Sequence, residues 1–120
     1  MENSAKPLRE RRARARYAVA GSAVLQLVKS GSRLPGRILD LSQDGCRIGT
    51  EAPFPLGIFT RVETEFQLDG IPFRLGGVVQ AIHDRSHIGI RFLDVSDRKR
   101  EQIEQLIAEI KLAYDEQKPA

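Results

Sequence analysis

Two arginines near the N-terminus, Arg12 and Arg16, are four positions apart and end just before Tyr17. An arginine offers a planar fork of N–H donors that can bind a phosphate, or the O6/N7 edge of a guanine, with two hydrogen bonds. Residues 1–20 hold six basic side chains, and all but Lys6 are arginine. This preference favours a compact anionic ligand that is recognised by geometry as well as by charge.

A second pattern follows about two dozen residues later, where Asp40, Ser42 and Gly45 are spaced as Asp-x-Ser-x-x-Gly. A carboxylate accepts hydrogen bonds and a serine hydroxyl donates or accepts one, so these side chains can bind a polar partner or nearby backbone groups. Gly45 can take the positive φ that many turns need and lets backbone approach a ligand. The same residue types also form simple turns at strand ends, which is the alternative interpretation.

The charge of the chain is concentrated at its N-terminus. Residues 1–20 carry six basic against two acidic side chains, whereas the remainder carries thirteen against fourteen. We therefore expect a near-neutral folded body, residues 17–120, preceded by a mobile basic arm, residues 1–16. The alternatives for the arm are a solvated tail or a non-specific nucleic-acid contact.

Alternating apolar residues predict about six short strands after the arm. The clearest covers residues 61–68, and Asp69 and Gly70 join it by a tight hairpin to the next strand, residues 71–82. Gly76 and Gly77 predict a bulge or bend in that strand. The other four strands are expected around residues 19–28, 37–41, 46–49 and 88–92.

The apolar period changes at Ser96 or Asp97, either of which can cap a helix. The predicted helix, residues 96–116, has an apolar stripe expected to pack on the strands, formed by Ile103, Leu106, Ile107, Ile110 and Tyr114. The predicted fold class is therefore mainly β, a six-stranded antiparallel β-barrel with a C-terminal α-helix packed on it.

The two motifs and their order resemble those of the PilZ domain family. They read Arg12-Ala-Arg-Ala-Arg16 and Asp40-Leu-Ser42-Gln-Asp-Gly45, and residues 89–92, Gly-Ile-Arg-Phe, resemble the closing strand of that family. The resemblance implies binding of cyclic di-GMP by six residues, Arg11, Arg12, Arg16, Asp40, Ser42 and Gly45. The chain departs from many family members at Gln80, where they carry a tryptophan.

The resemblance also implies a receptor without catalytic activity, metal or cofactor, whose arm orders over the ligand and signals to a downstream protein. Ser42 lacks the Gly-x-Ser-x-Gly setting of a serine nucleophile. His83 and His87 have helical spacing in a strand-and-turn segment and are expected at a solvent-exposed hairpin. Cys46 is expected to be a small core residue.

Two other function classes stay open: a basic-armed barrel that binds RNA or DNA, and a PilZ-like adaptor that binds only protein. The chain has seven Phe and Tyr residues, and several of them fall at core positions of the predicted strands. No evident set of aromatic rings is therefore left on which bases of a nucleic acid could stack. The lone Cys46, the absence of a long apolar segment and the lack of a secretory signal predict a cytoplasmic protein without a membrane span.

Overall fold

The structure, a computed structural model, describes residues 15–117, with side chains described as far as residue 113. Most of the predicted arm, residues 1–14, lies outside this part of the chain. The described residues form six strands and then one helix. These are β1 (Tyr17–Leu27), β2 (Arg33–Leu41), β3 (Gly45–Thr50), β4 (Arg61–Leu68), β5 (Ile71–His83), β6 (His87–Phe92) and α1 (Asp97–Gln117).

The strands close into a single barrel in the order β1-β2-β3-β6-β5-β4, and each neighbouring pair is antiparallel. The predicted six-stranded antiparallel barrel is therefore confirmed. Apolar side chains alternate inward along each strand, and Leu25, Ile48, Val79 and Ile88 are fully buried. Closure pairs the strand edges with one another, so the outer wall presents side chains rather than free backbone groups.

The β4–β5 hairpin turns at Asp69 and Gly70, as predicted. Both residues have positive φ, 52° and 75°, which is the conformation of a type I′ turn. Of the bulge or bend predicted at Gly76 and Gly77, the bulge is wrong, because β5 pairs with β4 through both glycines without a register shift. A Cβ on Gly77 would lie 2.8 Å from the Arg91 carbonyl oxygen, so this glycine permits close strand packing instead.

Helix α1 begins after Ser96, whose hydroxyl accepts a hydrogen bond from the Lys99 N–H at 3.2 Å. The Ser96 carbonyl accepts the first helical bond from the Arg100 N–H at 2.8 Å. The buried stripe of the helix joins the apolar cluster of the barrel interior through Ile103, Leu106 and Ile107. Within residues 15–117, no helix combines the length and the apolar character needed to cross a membrane.

Candidate functional site

Asp40 lies on the outer wall of the barrel because β2 changes register just before it. Ile38 and Leu41 are both core residues although they are three positions apart, which regular alternation does not allow. A register shift between Ile38 and Asp40 accounts for this and places Asp40 directly opposite Arg47 of β3. Arg47 stands between two core residues and faces outward, so Asp40 shares its outward face.

The Asp40 carboxylate is buried but only half satisfied. Its Oδ2 atom accepts a hydrogen bond from Arg47 Nε at 2.7 Å. Its Oδ1 atom has no hydrogen-bond partner among the described residues, and Arg16 Nη1 lies 3.9 Å away, which is too far for a hydrogen bond. An unsatisfied buried acceptor costs about 1–3 kcal/mol, so a ligand that donates a hydrogen bond here would recover that cost.

Ser42 holds together the turn between β2 and β3. Its N–H donates to the Gly45 carbonyl at 2.8 Å, and its hydroxyl oxygen accepts from the Asp44 and Gly45 N–H groups at 3.3 and 3.2 Å. The hydroxyl also contacts the Gly45 carbonyl at 3.3 Å. Donation from Ser42 to a ligand would require its proton to leave this last contact.

Gly45 is required for close approach of two strands rather than for a special turn conformation. The described glycines with positive φ are Gly31 and Gly70, so Gly45 does not use the positive φ that a glycine allows. A Cβ at Gly45 would clash with the Ile90 carbonyl oxygen and lie 3.1 Å from the carbonyl carbon. The glycine therefore lets β3 approach β6 next to the turn.

A cleft of about 270 Å³ opens beside this turn. It is lined by the turn itself and by Arg16, Gln80 and Arg91. Arg91 pairs with Gly45 across the β3–β6 ladder, and Gln80 stands at a register shift in β5, between Val79 and Ala81. Asp40 does not line the cleft but lies next to it. Arg16, which lines the cleft with a side chain 59% exposed, is 3.9 Å from the Asp40 carboxylate. Two guanidinium groups and an amide thus surround an opening beside a buried carboxylate.

The model of the PilZ domain family matches residues 10–109, which include the whole barrel and most of the helix. This chain belongs to the PilZ domain family. Comparison with curated proteins gives no match.

Solved structures with the same fold include the PilZ domain of Escherichia coli YcgR with c-di-GMP, at 20% identity and a TM-score of 0.72 over 88% of this chain and 95% of that one. YcgR in complex with c-di-GMP from the same organism gives 21% identity and 0.75, and the K. pneumonia MrkH–c-di-GMP complex gives 18% and 0.74. Each match covers 88% of this chain but 48% of that YcgR chain and 54% of MrkH. This chain therefore spans about half the length of those two proteins.

The structure of this PilZ domain brings four of the six predicted ligand residues to one place, the β2–β3 turn and its immediate surroundings. They are Arg16, Asp40, Ser42 and Gly45. Arg11 and Arg12 lie outside the described residues, so their part in the site stays a prediction. Gln80, at the expected tryptophan position, does line the cleft.

Two arginines at the candidate site were not predicted from the sequence. Arg47 contacts Asp40, and Arg91 lines the cleft. Each stands between two core residues on its strand, so alternation alone indicates that it faces outward. What alternation cannot reveal is the pairing of β3 with β6 and the register of β2, which place these side chains beside the motif.

The cysteine and the two histidines lie where the sequence analysis expected them. Cys46 lies in the core, as predicted, and burial together with the negative charge of Asp40 raises the pKa of its thiol, which stays protonated. His83 and His87 are exposed partners across the β5–β6 hairpin, as predicted. No group of three or more metal-binding side chains occurs among the described residues.

Proposed function

We propose that this PilZ domain is a receptor, without catalytic activity, that binds cyclic di-GMP at the cleft beside the β2–β3 turn. The observation that carries the proposal is the Oδ1 atom of Asp40, which is buried, has no hydrogen-bond partner within residues 15–117 and lies 3.9 Å from Arg16. A guanine offers N1–H and N2–H donors on one edge, and a carboxylate accepts both. Arg16 would move aside from Asp40 as the base enters.

The cations of the cleft suit the rest of such a ligand. Cyclic di-GMP carries two phosphodiester charges and two guanine O6/N7 edges, and arginine forks bind both kinds of group. Arg16 and Arg91 line the cleft with exposed side chains. Neither guanidinium group makes a hydrogen bond within the described residues, and the contact of Arg16 with Asp40 is long, at 3.9 Å. Both guanidinium groups are therefore available to a ligand.

The described residues would hold only part of the nucleotide. A cleft of about 270 Å³ is smaller than typical pockets for drug-sized ligands, which measure about 300–1,000 Å³. We propose that the arm, residues 1–16, supplies the remaining contacts through Arg11 and Arg12. Ordering of the arm over the turn would alter the surface presented to a downstream protein, which makes binding the signal.

The test is calorimetric titration of cyclic di-GMP into the full chain, with cyclic di-AMP and GTP as ligand controls. We expect a dissociation constant in the micromolar range or tighter, which corresponds to about −8 kcal/mol. Arg12→Ala, Arg16→Ala and Asp40→Ala should each weaken or abolish binding, whereas Arg74→Ala, on the barrel wall, should not. A folded wild-type chain that gives no heat would favour the protein-only adaptor, and full affinity in all three site variants would mean that the site lies elsewhere.

A further inference from the structure

The loop between β3 and β4 exposes three apolar side chains in four consecutive residues. Leu56 and Ile58 are each 50% exposed and Phe59 is 74% exposed, with only Gly57 between them. We call Leu56, Ile58 and Phe59 the apolar tip. Large apolar side chains exposed together, rather than singly, mark a contact surface more often than they mark chance exposure.

Phe59, the most exposed residue of the apolar tip, also has a strained backbone. Its φ is 70°, in the left-handed region that bulky residues rarely adopt. Two hydrogen bonds with β5 hold it there, from the Phe59 N–H to the Val79 carbonyl at 2.7 Å and from the Val79 N–H to the Thr60 carbonyl at 2.9 Å. A glycine would fit this conformation without strain, so the phenylalanine is kept at a cost in folding free energy.

The apolar tip is flanked by basic side chains. The Val28 N–H donates to the Arg61 carbonyl at 3.2 Å, which brings the β1–β2 turn, with Lys29 and the 55% exposed Val28, next to the start of β4. Neither Lys29 nor Arg61 forms an ion pair with another described residue.

Glu51, Asp84 and Glu63 are near this end of the barrel, but none of them forms an ion pair with Lys29 or Arg61 within the described residues. The Glu51 N–H donates to a carbonyl of β2, and Asp84 belongs to the β5–β6 turn. Glu63 of β4 is 3.6 Å from Arg74. The local combination is therefore an apolar tip with unpaired cations beside it.

We propose that the apolar tip inserts into the surface of an anionic lipid bilayer, with Lys29 and Arg61 at the level of the headgroups. Apolar side chains next to lysine or arginine are the usual composition of segments that bind such surfaces. Insertion also requires satisfied polar groups, and the Thr60 hydroxyl donates to the Gly57 carbonyl at 2.6 Å while the Phe59 N–H is bonded to β5.

A bilayer fits this surface better than a second copy of the chain does. A stable protein interface buries about 800 Å² on each partner, more than a tip of three side chains supplies. The tip and the β1–β2 turn are also at the end of the barrel opposite the β2–β3 turn, because β1 pairs with β2 from Tyr17↔Leu41 at one end to Gln26↔Arg33 at the other. A chain bound through the tip would keep the Asp40 side open.

The test is co-sedimentation of the full chain, without nucleotide, with vesicles of phosphatidylglycerol and phosphatidylcholine and with vesicles of phosphatidylcholine alone. We expect binding to the anionic vesicles, weakened about tenfold by Phe59→Gly and also weakened by Lys29→Glu with Arg61→Glu. Leu112→Ala removes an apolar side chain of similar exposure, 63%, from α1 and should bind as the wild type does. Because Phe59→Gly relieves backbone strain, its melting temperature should equal or exceed that of the wild type.

Two results would overturn the proposal. Absence of wild-type binding to the anionic vesicles would assign the tip to a protein partner instead. Equal binding by Phe59→Gly and the wild type would show that the N-terminal cations alone hold the chain at the lipid. Neither result depends on whether the chain binds cyclic di-GMP, since no nucleotide is present.

Discussion

Two groups of arginines and carboxylates on the barrel surface differ in how completely they are paired. On the wall formed by β1, β2 and β4, Arg33 binds both oxygens of Glu65 at 3.0 and 3.2 Å and also donates to Gln26 at 2.8 Å. This contact raises the pKa of Arg33 and lowers that of Glu65. In this wall group, Arg33 with Glu65, the guanidinium group donates a hydrogen bond to each carboxylate oxygen.

The site group, Asp40 with Arg16 and Arg47, is incomplete. One carboxylate oxygen has a short contact to Arg47 and the other has no hydrogen bond among the described residues, while Arg16 remains 3.9 Å away. The complete group is exposed, where ion pairs add little stability, and the incomplete carboxylate is buried, where a missing partner is costly. Among the described residues, both carboxylate oxygens of Glu65 are therefore hydrogen-bonded, whereas one oxygen of Asp40 is not.

Of the substitutions in the two groups, Asp40→Ala should have the largest effect on cyclic di-GMP affinity. It removes the acceptor of two guanine hydrogen bonds, so we expect cyclic di-GMP affinity to fall by about 100-fold, or about 3 kcal/mol. It also removes an unsatisfied buried oxygen and frees Arg47, which is 43% exposed and can be solvated. The melting temperature should therefore stay the same or rise, as differential scanning calorimetry would show, and a large fall would make Asp40 a stabilising residue instead.

Arg16→Ala should weaken cyclic di-GMP binding by about tenfold, the worth of one charge-assisted contact. Arg74→Ala is the matched control because Arg74 is similarly exposed, 63% against 59%, and contacts carboxylates of the wall at 3.6 and 3.8 Å. Calorimetry should give unchanged affinity for that control. Equal losses in the two variants would mean that only the total charge of the protein matters.

Arg91→Ala should reduce affinity less, by about threefold to tenfold, and should flatten the dependence of affinity on salt. Arg91 lies across the ladder from Gly45 and lines the cleft, but no carboxylate among the described residues positions it. Titrations at two salt concentrations would measure both effects. An affinity and a salt dependence identical to those of the wild type would remove Arg91 from the site.

Arg33→Ala should have the smallest effect, because exposed ion pairs contribute little. Nucleotide affinity should be unchanged, and the melting temperature should fall slightly at neutral pH. The pKa of Glu65 lies below its ordinary value of 4.5, so its pairing stabilises the fold above that value and the benefit is lost as the pH falls through the lower folded-state pKa. The melting temperatures of variant and wild type should therefore converge in acid; a difference that grows there would contradict this assignment.

Much of the barrel could be predicted from the sequence because its signals are local. Alternation gave the inward faces, and Asp69 with Gly70 gave a hairpin that the structure confirms. The glycines were less informative: Gly45 and Gly77 suggested special backbone conformations, but each is needed because a neighbouring strand comes close, which depends on pairing distant in sequence.

The site was predictable in part for the same reason. The spacing of Asp40, Ser42 and Gly45 identified the turn, yet nothing local indicates that β2 shifts register before Asp40 or that Arg47 and Arg91 lie beside it. Register is fixed by how whole strands pack, so these contacts become visible only in the folded barrel. The contributions of Arg11 and Arg12 remain predictions.

We propose above that cyclic di-GMP binds between the β2–β3 turn and β6, beside Asp40. A titration followed by amide ¹H–¹⁵N spectra tests it most directly. We expect the largest shifts at residues 40–47, Gln80 and Arg91, and no shifts at Lys29 and Phe59. Saturable shifts that leave residues 40–47 unchanged and fall elsewhere on the barrel would contradict it.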